Sequence, residues 1–362
     1  MGGVQLTVKV SHMTTTNIPH SFDVSAFIEK ARTLVRTTYT DTKPSPGALP
    51  AFNKRPKLAI VPATLKTPIR PLYKWQGGKT KLLKAYAPHL PSAESFSYYV
   101  EPFFGAGALF CHVKNTYAHK PSVINDINPY VVNVLNTLQS YPYLFIKRVK
   151  EIESDYLAIQ AKEDRRAFFY DLRSQYWSYE ERRKLIPEAV SLNITCAAYL
   201  YFLMKTSFNG LWQPMRTRND FFGTAFGLGN EEPGFIDYAL IQEWHEQLQD
   251  THISCCSYEE LNIPPNSFVF CDPPYIDNTV SYGAKRIDAL SLLNWCEQLQ
   301  RNGSTVWLAN RHVETSFYED FSTYDQKHVY DVSYTGGKKT VSSKKEVLLI
   351  WNKKQNNVAL AA

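Results

Sequence analysis

Residues 268–275 read Phe-Val-Phe-Cys-Asp-Pro-Pro-Tyr, an apolar run that ends abruptly at an acid, two prolines and an aromatic ring. The apolar part is typical of a strand buried in a parallel sheet. Pro273 and Pro274 have no backbone N–H to donate, so the strand must end before them. Ligands of open α/β sheets bind beyond the carboxyl ends of the strands. We therefore expect Asp272, the two prolines and Tyr275 to face a ligand together.

These groups suit a planar amine. Carboxylate and prolyl carbonyl oxygens accept hydrogen bonds from an exocyclic NH₂ group, and the Tyr275 ring stacks on the heterocycle that carries it. Taken alone, the pattern fits a strand-terminating turn capped by Asp272 equally well. The choice between a turn and an amine site therefore depends on the rest of the chain.

A glycine turn lies upstream. Residues 98–100 are a predicted strand that leads into Glu-Pro-Phe-Phe-Gly-Ala-Gly at residues 101–107, and residues 108–115 are predicted to be helical. A further strand at residues 123–125 ends at Asp126, nineteen residues after the last glycine, where nucleotide-binding βαβ units place the acid that binds ribose hydroxyls. This order favours a nucleotide-like cofactor over a glycine turn beside a surface aspartate.

A second glycine pair, at residues 77–78, precedes Lys79 and a predicted helix to about Leu90. A phosphate loop would need glycine at position 73, which is Tyr, and Pro68 and Pro71 argue against the buried strand that precedes such loops. The pattern instead predicts a helix N-terminus whose free N–H groups and Lys79 bind a carboxylate.

Helices dominate the middle of the chain, and two loops carry polar side chains. Helices are predicted at residues 130–139, 142–161, 165–176, 189–205 and 289–301, and two more strands at 305–310 and 346–351. The first loop, residues 206–219, has Asn, Gln and Arg, which read base edges; an ordinary surface loop fits it equally well. The second, residues 334–345, is rich in lysines that suit phosphates, although lysine runs are commonly just solvated. The candidate DNA contacts are Asn209, Trp212, Gln213, Arg216, Arg218, Lys338, Lys339 and Lys344.

Composition sets the broad class. Hydrophobic residues at 44% and charged residues at 20% are ordinary for a soluble protein, and neither a membrane-length apolar run nor a secretory signal is present, which predicts a cytoplasmic protein. Six Cys and nine His show no metal-binding spacing, so we expect reduced thiols and no metal. Residues 1–70 hold ten Lys/Arg against three acids, which leaves the remainder nearly neutral. Net charge is therefore weak support for nucleic-acid binding.

Taken together, residues 70–353 resemble the Dam-like (D12 class) family of DNA adenine-N6 methyltransferases. The resemblance rests on five motifs in the family's order: Lys74-Trp75-Gln76-Gly77-Gly78-Lys79, Glu101-Pro102-Phe103-Phe104-Gly105-Ala106-Gly107, Asn125-Asp126-Ile127-Asn128, Phe208-Asn209-Gly210-Leu211 and Asp272-Pro273-Pro274-Tyr275. It implies an α/β fold, a Rossmann-like S-adenosylmethionine-dependent methyltransferase sheet with a helical target-recognition insertion.

The implied domain division has five parts. A flexible basic arm covers residues 1–65, in which a helix is predicted at 21–37 and Ser11-His12-Met13 resembles a cloning junction. The cofactor half follows at 66–140, the helical target-recognition insertion at 141–250, the catalytic half at 251–354 and a tail at 355–362.

The resemblance also implies the reaction and its residues. The expected activity is methyl transfer from S-adenosyl-L-methionine to the N6 amine of adenine in double-stranded DNA, with the base flipped out of the helix. Asp272, Pro273 and Pro274 would contact the amine and Tyr275 would stack on the adenine. Lys79 would lie near the methionine carboxylate of the cofactor and Asp126 on its ribose. The implied cofactor contacts are Trp75, Lys79, Glu101, Phe104, Gly105, Gly107, Asp126 and Asp272.

One departure and several alternatives remain at this stage. The family has Arg two residues after its Asn-Gly-Leu segment, whereas this chain has Gln213, so GATC is not implied as the target. Cytosine-N4 and RNA adenine-N6 methylation use the same amine geometry, and an inactive nucleic-acid-binding relative is a further reading. A nicotinamide dehydrogenase fits poorly, because Phe110 stands at its third glycine position. Oligomeric state and membership of a restriction system stay open.

Overall fold

Seven strands form one mixed sheet in the computed structural model. They are β1 (Tyr98–Glu101), β2 (Ser122–Asn125), β3 (Thr251–Ser254), β4 (Ser267–Cys271), β5 (Thr305–His312), β6 (Gln326–Tyr334) and β7 (Ser342–Trp351). Their order is β3-β2-β1-β4-β5-β7-β6. Strands β1 to β5 pair in parallel, and β7 runs antiparallel between β5 and β6. The predicted α/β class is confirmed, and the sheet is consistent with a methyltransferase fold.

The structure describes only part of the chain. Its described residues are 68–75, 77–117, 120–215, 217, 221–227, 234–275, 287–312, 318–319, 323–334 and 342–354. The basic arm, its predicted helix at 21–37 and the tail lie outside these ranges.

Strand β4 occupies the middle of the sheet, and all five of its residues are buried. Because side chains alternate along a strand, Phe268 and Phe270 enter the core on one face while Val269 and Cys271 enter the core on the other. Both faces are therefore covered, which explains why the strand is apolar at every position. It ends at Cys271, as the two following prolines require.

Eight α-helices are present among the described residues. They are α1 (Leu83–Tyr86), α2 (Ala108–Thr116), α3 (Pro129–Ser140), α4 (Pro142–Ala158), α5 (Lys162–Leu185), α6 (Val190–Thr206), α7 (Tyr238–Leu248) and α8 (Ala289–Arg301). Short 3₁₀ turns cover Lys79–Lys81, Ala87–His89, Ala93–Ser95, Phe208–Gly210 and Tyr258–Glu260. The helix predicted from residue 79 to Leu90 is thus three short turns, and α5 is longer than predicted at both ends.

Three elements were not predicted from the sequence: α7, β3 and β6. Helix α7 carried a local signal, since Asp237 caps it by accepting a hydrogen bond from the Leu240 N–H. Strand β3 reads Thr-His-Ile-Ser and lies at the sheet edge, half-buried, so its sequence shows no apolar run. Strand β6 lies at the opposite edge.

The helical segment shares a core with the sheet. Trp244 on α7 stacks on Phe110 of α2, with ring centroids 5.5 Å apart, and meets Phe104 edge-on at 6.3 Å. One hydrophobic cluster contains these rings together with Phe202 on α6 and Phe270 on β4. The implied recognition insertion is therefore packed continuously against the cofactor half.

Asn125, the last residue of β2, is buried and links the ends of three strands by hydrogen bonds. Its amide nitrogen donates to the carbonyls of Pro102 and Cys256 at 2.9 and 3.0 Å, and its amide oxygen accepts from the Cys256 N–H at 3.0 Å. The segments that follow β1, β2 and β3 are thereby held at one edge of the sheet.

We expect Asn125→Ala to lower the free energy of unfolding by about 3 kcal/mol, because it leaves buried backbone groups without partners. Urea denaturation measures the effect. The exposed Asn302→Ala on the far end of α8 is the matched control and should stay within about 0.5 kcal/mol of wild type. Equal stability of the two variants would contradict the role assigned to Asn125.

Candidate active site

A cavity of about 690 Å³ opens at the carboxyl ends of β1, β2 and β4. Its lining comes from segments that are distant in sequence, because parallel strands bring their carboxyl ends to the same edge. All the residues named above as catalytic or cofactor-binding line it: Trp75, Lys79, Glu101, Phe104, Gly105, Gly107, Asp126, Asp272, Pro273, Pro274 and Tyr275.

The turn after β1 brings its backbone against an indole ring. Gly105 has φ +53°, and a β-carbon there would lie 2.8 Å from the indole nitrogen of Trp75. Only glycine therefore permits this contact between the turn and Trp75. Beneath the turn Phe104 is buried, while the ring of Trp75 remains partly accessible in the cavity.

Asp126 follows β2 and is fixed by two backbone donors. The Gly105 N–H donates to one carboxylate oxygen at 2.7 Å and the Asn128 N–H donates to the other at 2.9 Å. Burial raises the pKa of Asp126 above its ordinary value, and these two hydrogen bonds oppose that rise. Each oxygen keeps a further lone pair, so the carboxylate can still accept from ligand hydroxyls.

Glu101 at the end of β1 is a second buried acid in the cavity wall. It accepts a hydrogen bond from the Tyr99 hydroxyl at 2.9 Å. Burial raises the pKa of Glu101 well above its usual range, although the Tyr99 hydrogen bond acts the other way. Its neutral form is therefore favoured more than that of an exposed glutamate.

Lys79 is placed differently from the sequence expectation. Its ammonium donates to Asp272 Oδ1 at 2.6 Å and to the Gly77 carbonyl at 2.9 Å, and lies 3.5 Å from Glu346 Oε2. The side chain is 1% exposed. The Lys79 ammonium already contacts protein oxygens beneath the amine site. We therefore assign Lys79 to the contact with Asp272 and not to the expected contact with a cofactor carboxylate.

Opposing effects set the charge of this cluster. Burial lowers the pKa of Lys79, but the attraction of Asp272 and Glu346 outweighs it and the net change is upward. Burial raises the pKa of Asp272 to about 6, with Lys79 lowering it and Glu346 raising it further. Asp272 is therefore ionised at neutral pH but close enough to titration for pH to control its charge.

Tyr275 is held by a carboxylate that the sequence reading did not single out. Its hydroxyl donates to Glu346 Oε1 at 2.6 Å, and the Lys79 ammonium lies 5.2 Å from its ring centroid. Glu346 comes from β7, where it looked like one residue of an ordinary strand. A charged residue inside an otherwise buried apolar strand was the available signal.

Other missed residues form an apolar wall of the cavity. Ile127 is 55% exposed and follows Asp126 directly, and Phe103 packs on Tyr258 with ring centroids 5.2 Å apart. Tyr258 lies beyond β3, so placing it required the strand that the sequence did not reveal. Exposed apolar surface beside a carboxylate suits the ring of a nucleoside.

The polar loop after α6 is a paired structure in its described parts. The Gly223 N–H donates to the Gln213 carbonyl at 2.8 Å and the Met215 N–H to the Phe221 carbonyl at 2.7 Å, so residues 207–215 and 221–227 run side by side. Asn209 and Gln213 are exposed on it, and Lys344 is exposed on β7. The other candidate DNA contacts, Arg216, Arg218, Lys338 and Lys339, lie outside the described residues.

Trp212 differs from the expectation of a DNA contact. Only 2% of it is exposed, and its ring stacks between Trp75 and Tyr130, with centroids 6.5 and 5.6 Å away. A side chain buried in this way cannot stack on a base at the surface. We therefore assign it to packing the loop against the cavity wall.

Two kinds of feature are not found in the part of the chain that the structure describes. It contains no cluster of three or more His, Cys, Asp or Glu side chains arranged to hold a metal ion. Nor does any described helix combine the length and apolarity needed to span a membrane.

The fold and the cavity agree with what comparison with known proteins shows. Residues 75–332 match the D12 class N6 adenine-specific DNA methyltransferases, and the chain belongs to this family. The resemblance inferred from the five motifs is thus confirmed.

Named relatives cover most of the chain. The type II methyltransferase M.MjaIII of Methanocaldococcus jannaschii is 25% identical over 70% of this chain and 89% of its own length. The type II methyltransferase M1.LlaDCHI of Lactococcus lactis subsp. cremoris is 28% identical over 76% of this chain and 93% of its own. A DNA adenine methylase of Vibrio cholerae is 28% identical over 57% and 65%, respectively.

We expect DNA methylation by this chain to lose half of its rate near pH 6 on the acid side. Protonation of Asp272, whose pKa burial raises to about 6, replaces a hydrogen-bond acceptor by an O–H donor. The rate should then fall roughly tenfold per pH unit below that point. Single-turnover assays with saturating methyl donor test this, and a rate independent of pH from 5 to 8 would contradict it.

Proposed function

We propose that this protein transfers a methyl group from S-adenosyl-L-methionine to the N6 amine of adenine in double-stranded DNA. The observation that carries the proposal is one cavity in which an amine-accepting carboxylate, Asp272, lies beside a nucleotide-type glycine turn and Asp126. Membership of the D12 class family supports adenine in DNA as the target.

The cavity residues fit the proposed cofactor. Asp126 retains acceptor capacity for ribose hydroxyls, the Gly105 turn lines the same cavity, and Ile127 and Tyr258 offer apolar surface for an adenine ring. When bound, S-adenosylmethionine supplies an electrophilic methyl group on its sulfonium. Trp75, which packs against Gly105 and lines the same cavity, would help to hold the cofactor.

Asp272 and the prolyl carbonyls act on the amine. An aromatic amine is a poor nucleophile, because its lone pair is delocalised into the ring. The Asp272 carboxylate accepts one N–H and the Pro273 carbonyl accepts the other, which favours a more tetrahedral nitrogen with an available lone pair. With S-adenosylmethionine bound, the nitrogen would take the methyl group in line as the S–CH₃ bond breaks, S-adenosylhomocysteine would leave, and Asp272 would accept the proton, without a covalent enzyme intermediate. The amine proton becomes acidic only as the N–C bond forms, so Asp272 need not be a strong base.

Tyr275 orients the base. An adenine inside a duplex cannot reach the cavity, so the base must flip out, at a cost of a few kcal/mol of unstacking. Stacking on the Tyr275 ring offsets part of this cost. The hydroxyl of Tyr275 is tied to Glu346, which fixes the ring plane.

Sequence choice falls to the paired segments after α6. The exposed side chains of Asn209 and Gln213 have the amide donors and acceptors that read base edges, and Arg216 and Arg218 follow them closely in sequence. Lys338, Lys339 and Lys344 are proposed phosphate contacts, which position the duplex without reading it. Gln213 in place of the family's Arg makes a target other than GATC part of the proposal.

Nucleoside analysis of DNA and RNA incubated with the protein and labelled S-adenosylmethionine tests the reaction directly. N6-methyladenine in DNA is the expected product. N4-methylcytosine, methylated RNA or cofactor binding without any transfer would each replace the proposal by another. Long-read sequencing of DNA from cells that express the protein identifies the methylated context.

Two aspartate variants should separate chemistry from cofactor binding. We expect Asp272→Ala to reduce single-turnover transfer by at least a thousandfold, on the order of the loss of a transition-state hydrogen-bond partner. Its cofactor affinity, measured by calorimetry, should change little. Asp126→Ala should weaken cofactor affinity about 10- to 100-fold, because hydrogen bonds to a charged group are lost. The reverse pattern would contradict both assignments.

Gln213→Ala should relax target choice at one base pair. A bidentate side-chain contact is worth about 1–3 kcal/mol of discrimination, so methylation of near-target sites should rise relative to the target by roughly 5- to 150-fold. Long-read sequencing of DNA methylated by each variant measures the ratio. Gln160→Ala, an exposed glutamine between α4 and α5, is the matched control. An unchanged context for Gln213→Ala would remove this residue from recognition.

A further inference from the structure

Glu346 on β7 is a buried acid whose place in the sheet is fixed from both sides. In the strand register it lies opposite Arg311 of β5 and Tyr330 of β6. The two neighbouring strands therefore fix which residues flank Glu346 in the sheet. It is 1% exposed, and the following four residues, 347–350, are all buried hydrophobics.

The two carboxylate oxygens of Glu346 point to different parts of the amine site. Oε1 accepts the 2.6 Å hydrogen bond from the Tyr275 hydroxyl, and Oε2 lies 3.5 Å from the Lys79 ammonium. The same ammonium donates to Asp272 at 2.6 Å. Glu346 thus contacts Tyr275 directly, whose ring is proposed to stack on the base. It is linked to Asp272, the proposed acceptor for the amine, through the Lys79 ammonium that both carboxylates share.

This arrangement is costly for stability alone. The buried Glu346 carboxylate shares one ammonium with Asp272, whose side chain is 21% exposed, and burying an incompletely compensated charge destabilises a fold. An apolar residue like its neighbours would fill the strand position at lower cost. The excess negative charge therefore calls for a role in the chemistry.

We infer that Glu346 is a positioning residue for methyl transfer: it fixes the Tyr275 ring and competes with Asp272 for Lys79. The inference rests on the proposed function. Competition weakens the neutralisation of Asp272 by Lys79, so that Asp272 keeps the electron-rich oxygen needed to accept from the amine. Holding the Tyr275 hydroxyl keeps the ring in the plane on which the base stacks.

The groups that face this cluster have defined charge states. Tyr86 from α1 is buried, and its pKa is raised well above the ordinary value by burial first and by Glu346 and Asp272 next, so it stays neutral. Burial raises the pKa of Tyr275 in the same way, with Asp272 and Glu346 adding to it. Burial also raises the pKa of Tyr330 on β6. Lys79 and Asp272 form the ion pair of this cluster, and burial shifts the nearby Glu101 carboxyl toward its neutral form.

Glu346→Gln tests the competition for Lys79. The amide keeps an acceptor for the Tyr275 hydroxyl but removes the charge that raises the pKa of Asp272. The acid limb of the single-turnover pH profile should move to lower pH, and the rate at pH 8 should fall about tenfold, because Asp272 is then more fully neutralised by Lys79. Glu297→Gln on α8, whose carboxylate pairs with Arg301 at the surface, is the charge-matched control and should leave the profile unchanged.

Tyr275→Phe tests the other contact and predicts the opposite shift. Without the hydroxyl, Glu346 is less compensated and attracts Lys79 more strongly, so the acid limb should move to higher pH. Loss of ring fixation should also raise the KM for DNA about fivefold, and lower the fluorescence of 2-aminopurine placed at the target base. Thermal denaturation confirms folding of each variant.

Opposite shifts of the acid limb support the inference. A wild-type profile and rate in Glu346→Gln, or shifts in the same direction for both variants, would overturn it. Should Glu346→Gln fail to fold, the direction of the Tyr275→Phe shift alone decides. Carbon-13 NMR titration of the Asp272 carboxyl, assigned with Asp272→Asn, reports the same competition in the cofactor-free protein. A wild-type protein that titrates as described yet transfers no methyl group would refute the proposed function and leave the charge competition standing.

Discussion

A single buried ammonium, that of Lys79, holds the amine site together. Asp272 follows the central strand β4, Glu346 belongs to β7, and Lys79 comes from the turn before α1, so one cation joins three parts of the chain far apart in sequence. Without it the Asp272 and Glu346 carboxylates would repel each other, and water would screen that repulsion poorly around the buried Glu346. The charge of Asp272, and with it the chemistry of the cavity, depends on this contact.

Local motifs carried the part of the site that could be predicted. The Gly105 turn and Asp126 each follow directly after a strand. Consecutive residues in the sequence therefore suffice to predict them. The end of β4 is equally local, since Pro273 and Pro274 stop the strand whatever surrounds it. For these residues sequence and structure place the same groups at the same cavity.

Contacts across the sheet could not be predicted from the sequence. Glu346 reaches Tyr275 only because β7 inserts antiparallel between β5 and β6, and β6 was not predicted. Lys79 was expected to face a ligand, since nothing near it in sequence shows that two protein carboxylates compete for it. Trp212 looked like a surface aromatic in a polar loop, but its neighbours in space, Trp75 and Tyr130, bury it. In each case the deciding partner lies dozens of residues away.

The position of β7 has a consequence for the order in which the site can assemble. Among the described residues it is the last strand along the chain, yet it occupies an inner place in the sheet and brings Glu346 to the amine site. During synthesis the cofactor turn and Asp272 emerge from the ribosome well before this strand. Until β7 joins the sheet, the Tyr275 hydroxyl lacks the Glu346 carboxylate that accepts its hydrogen bond. Under the role proposed for Glu346, the amine site is complete only when β7 has entered the sheet.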